Sequence, residues 1–250
     1  MINAAILFFG KEPDKHFPLY GVKIATFKGN EIQDITDFRG NIFNTVEPVI
    51  EYISSKTPQR LFFDKATRYE KPLVPKEVLR EAVINALIHR DYSTSSSIFI
   101  KITEDEIEIK NPGMLPAPLE ITSLYQPHES RPRNPLLAEL ANKAKMIEHW
   151  GSGTLRIISE MRKSGLADPV FSQERGYFTV TLPLREISLN KRQEKILSHI
   201  KLSRNASLQE LHKIVKGSYR TLHRDLDELV NAGLLFKAKT GRHVSFSLSR

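Results

Sequence analysis

Glu81 and Asn85 stand four residues apart in the stretch Lys76 to Arg90, where Val78, Leu79, Val83, Ala86 and Leu87 recur at helical spacing. A carboxylate and an amide therefore share one helix face. Oxygen ligands of that kind suit a hard cation and leave room for the oxygens of a polyphosphate. Further on, Gly151-Ser152-Gly153 leads into a helix-like run opening at Thr154, a place where backbone N–H groups and a helix N-terminus can meet phosphate. Between these stretches lies Asn111-Pro112-Gly113. Each feature also has a plain structural alternative: a surface Glu with a helix-interior Asn, an Asn-Pro-Gly turn, and a loop-to-helix turn.

A second constellation sits near the C-terminus. Leu222, Leu226, Leu229 and Val230 make the apolar stripe of a helix over Tyr219 to Ala232, capped by Ser218. That stripe leaves Tyr219, Arg220, Thr221, His223 and Arg224 at the opposite, N-terminal end. Side chains so placed can enter the major groove of double-stranded DNA, with Arg the usual partner of guanine. Lys237, Lys239 and Arg242 on the following strands, with Lys213 and Lys216 before the helix, suit phosphates, which position a protein without specifying sequence. Net charge agrees with this division. Residues 191–250 carry 13 Lys or Arg against 5 Asp or Glu, whereas the first 190 carry 24 of each, so the whole excess of +8 lies in the last sixty residues.

The elements that must hold these residues follow from periodicity and punctuation. Pro72 and Pro75, and then Pro183 with Arg185 to Asn190, divide the chain into three segments. The first reads as a helix end at Ile2 to Phe9, a strand at Tyr20 to Phe27, a helix at Ile42 to Ser54 and a strand or loop at Leu61 to Tyr69. It opens on an apolar run without a cap, as the back half of a domain would. The second has the helix ending in His89, Arg90 and Asp91, expected as a solvated end. A hairpin follows, in which Ile98, Ile100 and Ile102 oppose Ile107 and Ile109 across Glu104-Asp105. A loop from Asn111 to Pro135 contains five prolines after the Asn-Pro-Gly turn. Helices at Pro135 to Lys145 and Thr154 to Ser164 and a strand at Gly176 to Leu184 complete it, with Trp150 expected in the core. The third has helices at Arg192 to Leu202, Leu208 to Val215 and Tyr219 to Ala232, a stop at Gly233, and two strands closing on Thr240-Gly241. Three helices followed by a short hairpin is the order of a winged helix-turn-helix.

With 250 residues, 40% apolar and 26% charged, the chain has an ordinary globular composition. It has no apolar run of membrane-spanning length and no signal-peptide pattern. The absence of cysteine removes disulfides and thiolate chemistry, and the eight His show no metal spacing. The expected compartment is the cytoplasm.

EAVINALIHRDY (Glu81 to Tyr92), NPGML (Asn111 to Leu115) and HWGSGTLRI (His149 to Ile157) resemble the divergent ATPase module of the GHKL, or Bergerat, superfamily. The version resembled is the one attached to Schlafen/AlbA-type regulators labelled RecG-like. NAAILFFG (Asn3 to Gly10) and the strand Lys23 to Gly29 resemble the second half of a Schlafen/AlbA domain, and SYRTLHRDLDELVNAGLL (Ser218 to Leu235) resembles the recognition helix and first wing strand of bacterial winged-helix repressors. The resemblance implies an α+β chain of three domains: the C-terminal half of a Schlafen/AlbA-like domain at 1–72, a GHKL-like α/β sandwich at 73–186 and a winged helix at 190–250.

It further implies ATP and Mg²⁺ as cofactors. Asn85 would supply an oxygen to Mg²⁺ and Glu81 would orient and deprotonate the attacking water. Asn111 and Gly113 would meet the adenine, while Gly151, Gly153 and Thr154 would meet the phosphates, with a mobile lid between the two glycine motifs. Asn111 departs from the superfamily's usual Asp, which removes a charge-assisted bond and implies weaker or altered purine binding. No GxxxxGK[ST] loop occurs, so a helicase motor is not supported. The implied function is a transcriptional regulator, dimeric on a palindromic site, with at most a weak Mg-dependent ATPase activity. The alternatives are an active ATPase localised by its winged helix and a degenerate ATPase fold serving as a dimer scaffold.

Overall fold

The computed structural model describes the chain except residues 1, 18, 19, 65, 66, 148–152, 188, 216, 241, 242, 249 and 250. Two compact units divide at Arg185 and Glu186. The first contains α1 (Ile2–Phe9), β1 (Val22–Lys28), β2 (Glu31–Phe38), α2 (Ile42–Lys56), β3 (Gln59–Asp64), β4 (Thr67–Pro72), α3 (Lys76–His89), β5 (Ile98–Ile102), β6 (Glu106–Pro112), α4 (Pro135–Lys143), α5 (Gly153–Lys163), β7 (Val170–Glu174) and β8 (Tyr177–Pro183).

Its mixed six-stranded sheet has the order β2-β1-β5-β6-β8-β7, antiparallel except where β1 runs parallel to β5, Val22 opposite Ile98. Alternation makes one face of the sheet apolar: Val22 and Ile24, Ile98, Ile100 and Ile102, and Ile107 and Ile109 are all buried, while Phe99 and Lys101 point away. Against this apolar side lies α3, which is apolar nearly all round, with Val78, Leu79, Val83, Ile84, Leu87 and Ile88 buried. A helix of that kind is packed on several sides, here by α2, α5 and β6. Asn41 joins two early elements: it caps α2 by accepting from the Asn44 N–H and donates from Nδ2 to the Gly10 carbonyl at 2.9 Å.

The boundary expected at residue 72 does not separate compact units. Residues on both sides of it share one sheet and one apolar core, because β1 hydrogen-bonds to β5 and α2 packs on α3. Pro72 ends strand β4 within this unit.

The second unit runs through α6 (Lys191–Ser203), β9 (Asn205–Ser207), α7 (Leu208–Ile214), α8 (Tyr219–Asn231), β10 (Leu235–Thr240) and β11 (His243–Leu248), with sheet order β10-β11-β9. Its separate core includes Ile196, Ile200, Leu211, Leu222, Leu226, Leu229 and Phe246. Ser207 caps α7 in a reciprocal box with Glu210, and Ser218 caps α8 by accepting from the Thr221 N–H.

Asp225 is fully buried on α8, held by Arg192 Nε at 2.6 Å and by Asn190 Nδ2 at 3.2 Å. The Arg192 bond keeps its carboxyl below the usual range. Arg192→Met should therefore destabilise this unit at neutral pH, since a buried carboxylate loses its cation. A group with a depressed folded pKa stabilises above its unfolded value and ceases to as pH falls through the folded one. The gap between variant and unaltered chain should accordingly narrow in acid, which thermal melts at several pH values would read. Among the described residues, no helix is long and apolar enough to cross a membrane.

Candidate functional site

A cavity of about 140 Å³ opens in the first unit between α3, the end of β6, the start of α5 and the segment that follows β6. Glu81, Asn85, Asn111, Gly113, Gly153 and Thr154, far apart in sequence, all line it. Gly151 falls outside the described residues.

Glu81 and Asn85 project from the same face of α3, where Asn85 Nδ2 donates to Glu81 Oε1 at 3.0 Å. That bond engages the amide nitrogen, leaving the amide oxygen as the end a cation would take. The start of α5 closes over the pair. A methyl group at Gly153 would collide with Glu81 Oε1 and stand 3.0 Å from Asn85 Nδ2, so any side chain there would have to push the Glu81 carboxylate aside. Beside it, Thr154 Oγ1 is buried without a hydrogen-bond partner. Among the described residues, no group of three or more His, Asp or Glu gathers as a ready-made metal cage. A cation held by Asn85 would need its remaining ligands from phosphate and water, the usual state of Mg²⁺ beside nucleotides.

At the other end, Asn111 is 3% exposed, and its Oδ1 lacks a partner. Such an orphaned buried acceptor is uncommon and fits a ligand amino group. Gly113 holds φ +115°, where an L side chain is strained, and a Cβ there would stand 3.1 Å from Arg133 Nε. Backbone bonds fix this corner, from Asp91 N–H to the Pro112 carbonyl at 2.7 Å and from Gly113 N–H to the Gly176 carbonyl at 2.8 Å. The orphaned acceptor, the unpartnered Thr154 hydroxyl and the two glycine cradles together fit an adenine nucleotide with Mg²⁺.

The segment after β6 is less irregular than its prolines imply, since Ile121–Tyr125 forms a 3₁₀ turn and Asn134 anchors the start of α4 by donating to the Ile88 and Arg90 carbonyls. The end of α3 is not solvated as expected. Arg90 is 1% exposed, donates to the Thr94 and Ser96 carbonyls and lies over the Tyr92 ring. His89 lines the cavity, and burial, assisted by the charge of Arg133, lowers its pKa to about 4, so the imidazole is neutral at pH 7. Sequence reasoning passed over Arg133. Its only advance signal was an arginine inside the Pro-rich stretch between the two glycine motifs.

In the second unit, Tyr219, Arg220, His223 and Arg224 are exposed at the N-terminal part of α8, with Lys213 and Lys237 exposed nearby in sequence. The Tyr219 ring stacks on His212 at 3.7 Å, and the Ser218 and Thr221 hydroxyls bond to each other at 3.0 Å. Arg224 approaches Glu228 only to 3.9 Å, and Lys237 approaches Asp227 to 3.6 Å. Loose exposed pairs of this kind are exchanged cheaply for other anions. Lys216, Arg242, Trp150 and the side chain of Lys239 lie outside the described residues.

Comparison with known proteins divides the chain similarly. Residues 95–182 match the family described as "Putative ATP-dependent DNA helicase recG C-terminal", and residues 188–249 match a family described as HVO_A0114. The first match contains Asn111, Gly113, Gly153 and Thr154 but begins after Glu81 and Asn85. No curated protein matches the chain. Among solved structures, the crystal structure of the DIP2311 protein from Corynebacterium diphtheriae is similar over 98% of this chain, with a TM-score of 0.65 and 17% identity. The chain spans 53% of that protein, about half its length, and at this identity the likeness is one of fold.

Proposed function

We propose that this RecG C-terminal-like chain is a DNA-bound transcriptional regulator whose first unit holds an adenine nucleotide with Mg²⁺ and whose second unit is a winged helix. The observation that carries the nucleotide half is the single cavity lined by Glu81, Asn85, Asn111, Gly113, Gly153 and Thr154. Asn85 would hold the cation through its amide oxygen, and Glu81 would orient a water and take its proton. Asn111 accepts from the base amino group where Gly113 admits the ring. Thr154 and the first N–H groups of α5 meet phosphate. Bound Mg²⁺ would supply neutralising charge on the phosphate oxygens.

The DNA half rests on the order of three helices and a hairpin, the exposed basic start of α8 and the concentration of charge in residues 191–250. A helicase motor does not follow from the likeness to that family, because the chain lacks the phosphate loop such motors use. Pairing of two copies on a palindromic site follows from the usual symmetry of such modules. Nucleotide then alters DNA affinity to the extent that it binds two arrangements of the dimer unequally.

Calorimetric titration of ATP with Mg²⁺ tests the first half, and absence of binding would leave a DNA-binding scaffold. The buried carboxylate beside Asn85 favours hydrolysis in addition to binding. Glu81→Gln should keep ATP affinity and lower single-turnover phosphate release about a hundredfold. Equal release by both proteins would remove Glu81 from the chemistry.

A further inference from the structure

We propose that Arg133 is the second arm of a purine reader: its Nε donates to a ring nitrogen while Asn111 Oδ1 accepts from the neighbouring amino group. This rests on the adenine-nucleotide reading above and names the residue that completes its base recognition.

Arg133 Nε and Asn111 Oδ1 are both buried and both without a hydrogen-bond partner, and both residues line the same cavity. A guanidinium keeps its protons at every accessible pH. A buried N–H with no acceptor is therefore a standing cost, which a ligand acceptor removes. The other two nitrogens of Arg133 are engaged. Nη2 donates to the Met114 carbonyl at 2.6 Å, and Nη1 lies 3.6 Å from the Asp91 carboxylate. These contacts hold the guanidinium plane and leave Nε as the donor a ligand can use.

Its position is also specific. Nε lies 3.1 Å from where a Gly113 side chain would begin, two residues beyond Asn111, so the missing side chain is what admits the guanidinium here. One donor and one acceptor on residues of the same cavity wall complement the adenine edge, where an amino group adjoins a ring nitrogen. Neutral His89 adds no competing charge on that side.

Calorimetric titration of the full chain with adenosine, with ADP and Mg²⁺, and with inorganic pyrophosphate separates the roles of Arg133. Arg133→Ala should weaken adenosine and ADP by the same factor, about tenfold, and leave pyrophosphate unchanged. Weakened ADP and pyrophosphate with unchanged adenosine would make Arg133 a phosphate cation and overturn the proposal. Because Arg133 also steadies Met114 and Asp91, a second measurement uses the unaltered chain. Adenosine analogues lacking N1 or N7 are titrated, and one of them should bind about tenfold more weakly than adenosine, a difference that Arg133→Ala erases. Equal binding of adenosine and both analogues to the unaltered chain would overturn the proposal. Failure of the unaltered chain to bind any of these ligands would overturn the nucleotide reading itself, a result distinct from binding that ignores the ring nitrogens.

Discussion

Asn85→Ala should bind ATP with Mg²⁺ about a hundredfold more weakly than the unaltered chain. The substitution removes a cation ligand and also the amide that donates to Glu81 Oε1 at 3.0 Å. Loss of an outer-shell partner alone weakens metal sites about ten- to a hundredfold, and here the ligand itself goes as well. Chelation isolates the role of the cation: with Mg²⁺ withheld, the two proteins should bind ATP with similar affinity. A deficit that persists without the cation would mean that Asn85 contacts nucleotide directly or shapes the cavity wall, and its role as a cation ligand would have to be abandoned.

Replacing both Arg220 and Arg224 by Ala should lower affinity for duplexes selected from a random pool by about a hundredfold, because each bidentate contact to a base is worth about 1–3 kcal/mol. Both side chains are exposed at the start of α8, and the long Arg224–Glu228 approach gives little to offset their loss. ATP binding and the melting of the first unit should not change. Fluorescence anisotropy at several salt concentrations distinguishes the two contact types. Contacts to bases lose sequence preference when removed, whereas contacts to phosphate lose affinity uniformly and flatten the salt dependence. Unaltered DNA affinity would show that α8 is not the helix that enters the groove.

Elements with strong periodicity were legible in the sequence, and those without it were not. The hairpin of β5 and β6 and the helices α3, α6 and α8 each bury a regular apolar set, which sequence spacing reveals directly. Strand β2 gave no such signal because its residues are exposed or half-buried throughout, from Glu31 to Phe38, and Ile32 and Ile35 both face outward. Edge strands β7 and β9 were missed for a related reason: each is short and buries little more than Phe171 or Ala206. Pro72 reads as a boundary because proline punctuates chains locally, while the parallel pairing that places both sides of it in one compact unit joins residues far apart.

Part of the cavity lining was legible through motif order, which nominated Glu81, Asn85, Asn111, Gly113, Gly153 and Thr154, and the cavity brings these six together. What spacing could not reveal was contact across the fold. The closeness of Gly153 to Glu81, the orphaned Asn111 oxygen and the engagement of Arg133 with Met114 and Asp91 arise only when α5 and the Pro-rich segment return to α3. Arg90 illustrates the converse error, since charge at a helix end reads as solvated until the Thr94 and Ser96 carbonyls fold over it.

The parallel join of β1 to β5 also governs how the chain can mature during synthesis. β1 and β2 form a local hairpin that can close within about 10 µs of emerging from the ribosome. Its parallel neighbour is made only after α2, the β3-β4 hairpin and α3 have been translated. Until then Val22 and Ile24 lack their β5 neighbours, a window of aggregation and chaperone capture set by elongation rate. Polar replacements on the inward side of β1 would consequently act in two opposite directions. They would ease passage through that window while weakening the finished sheet, so soluble yield and melting temperature would part company at those positions.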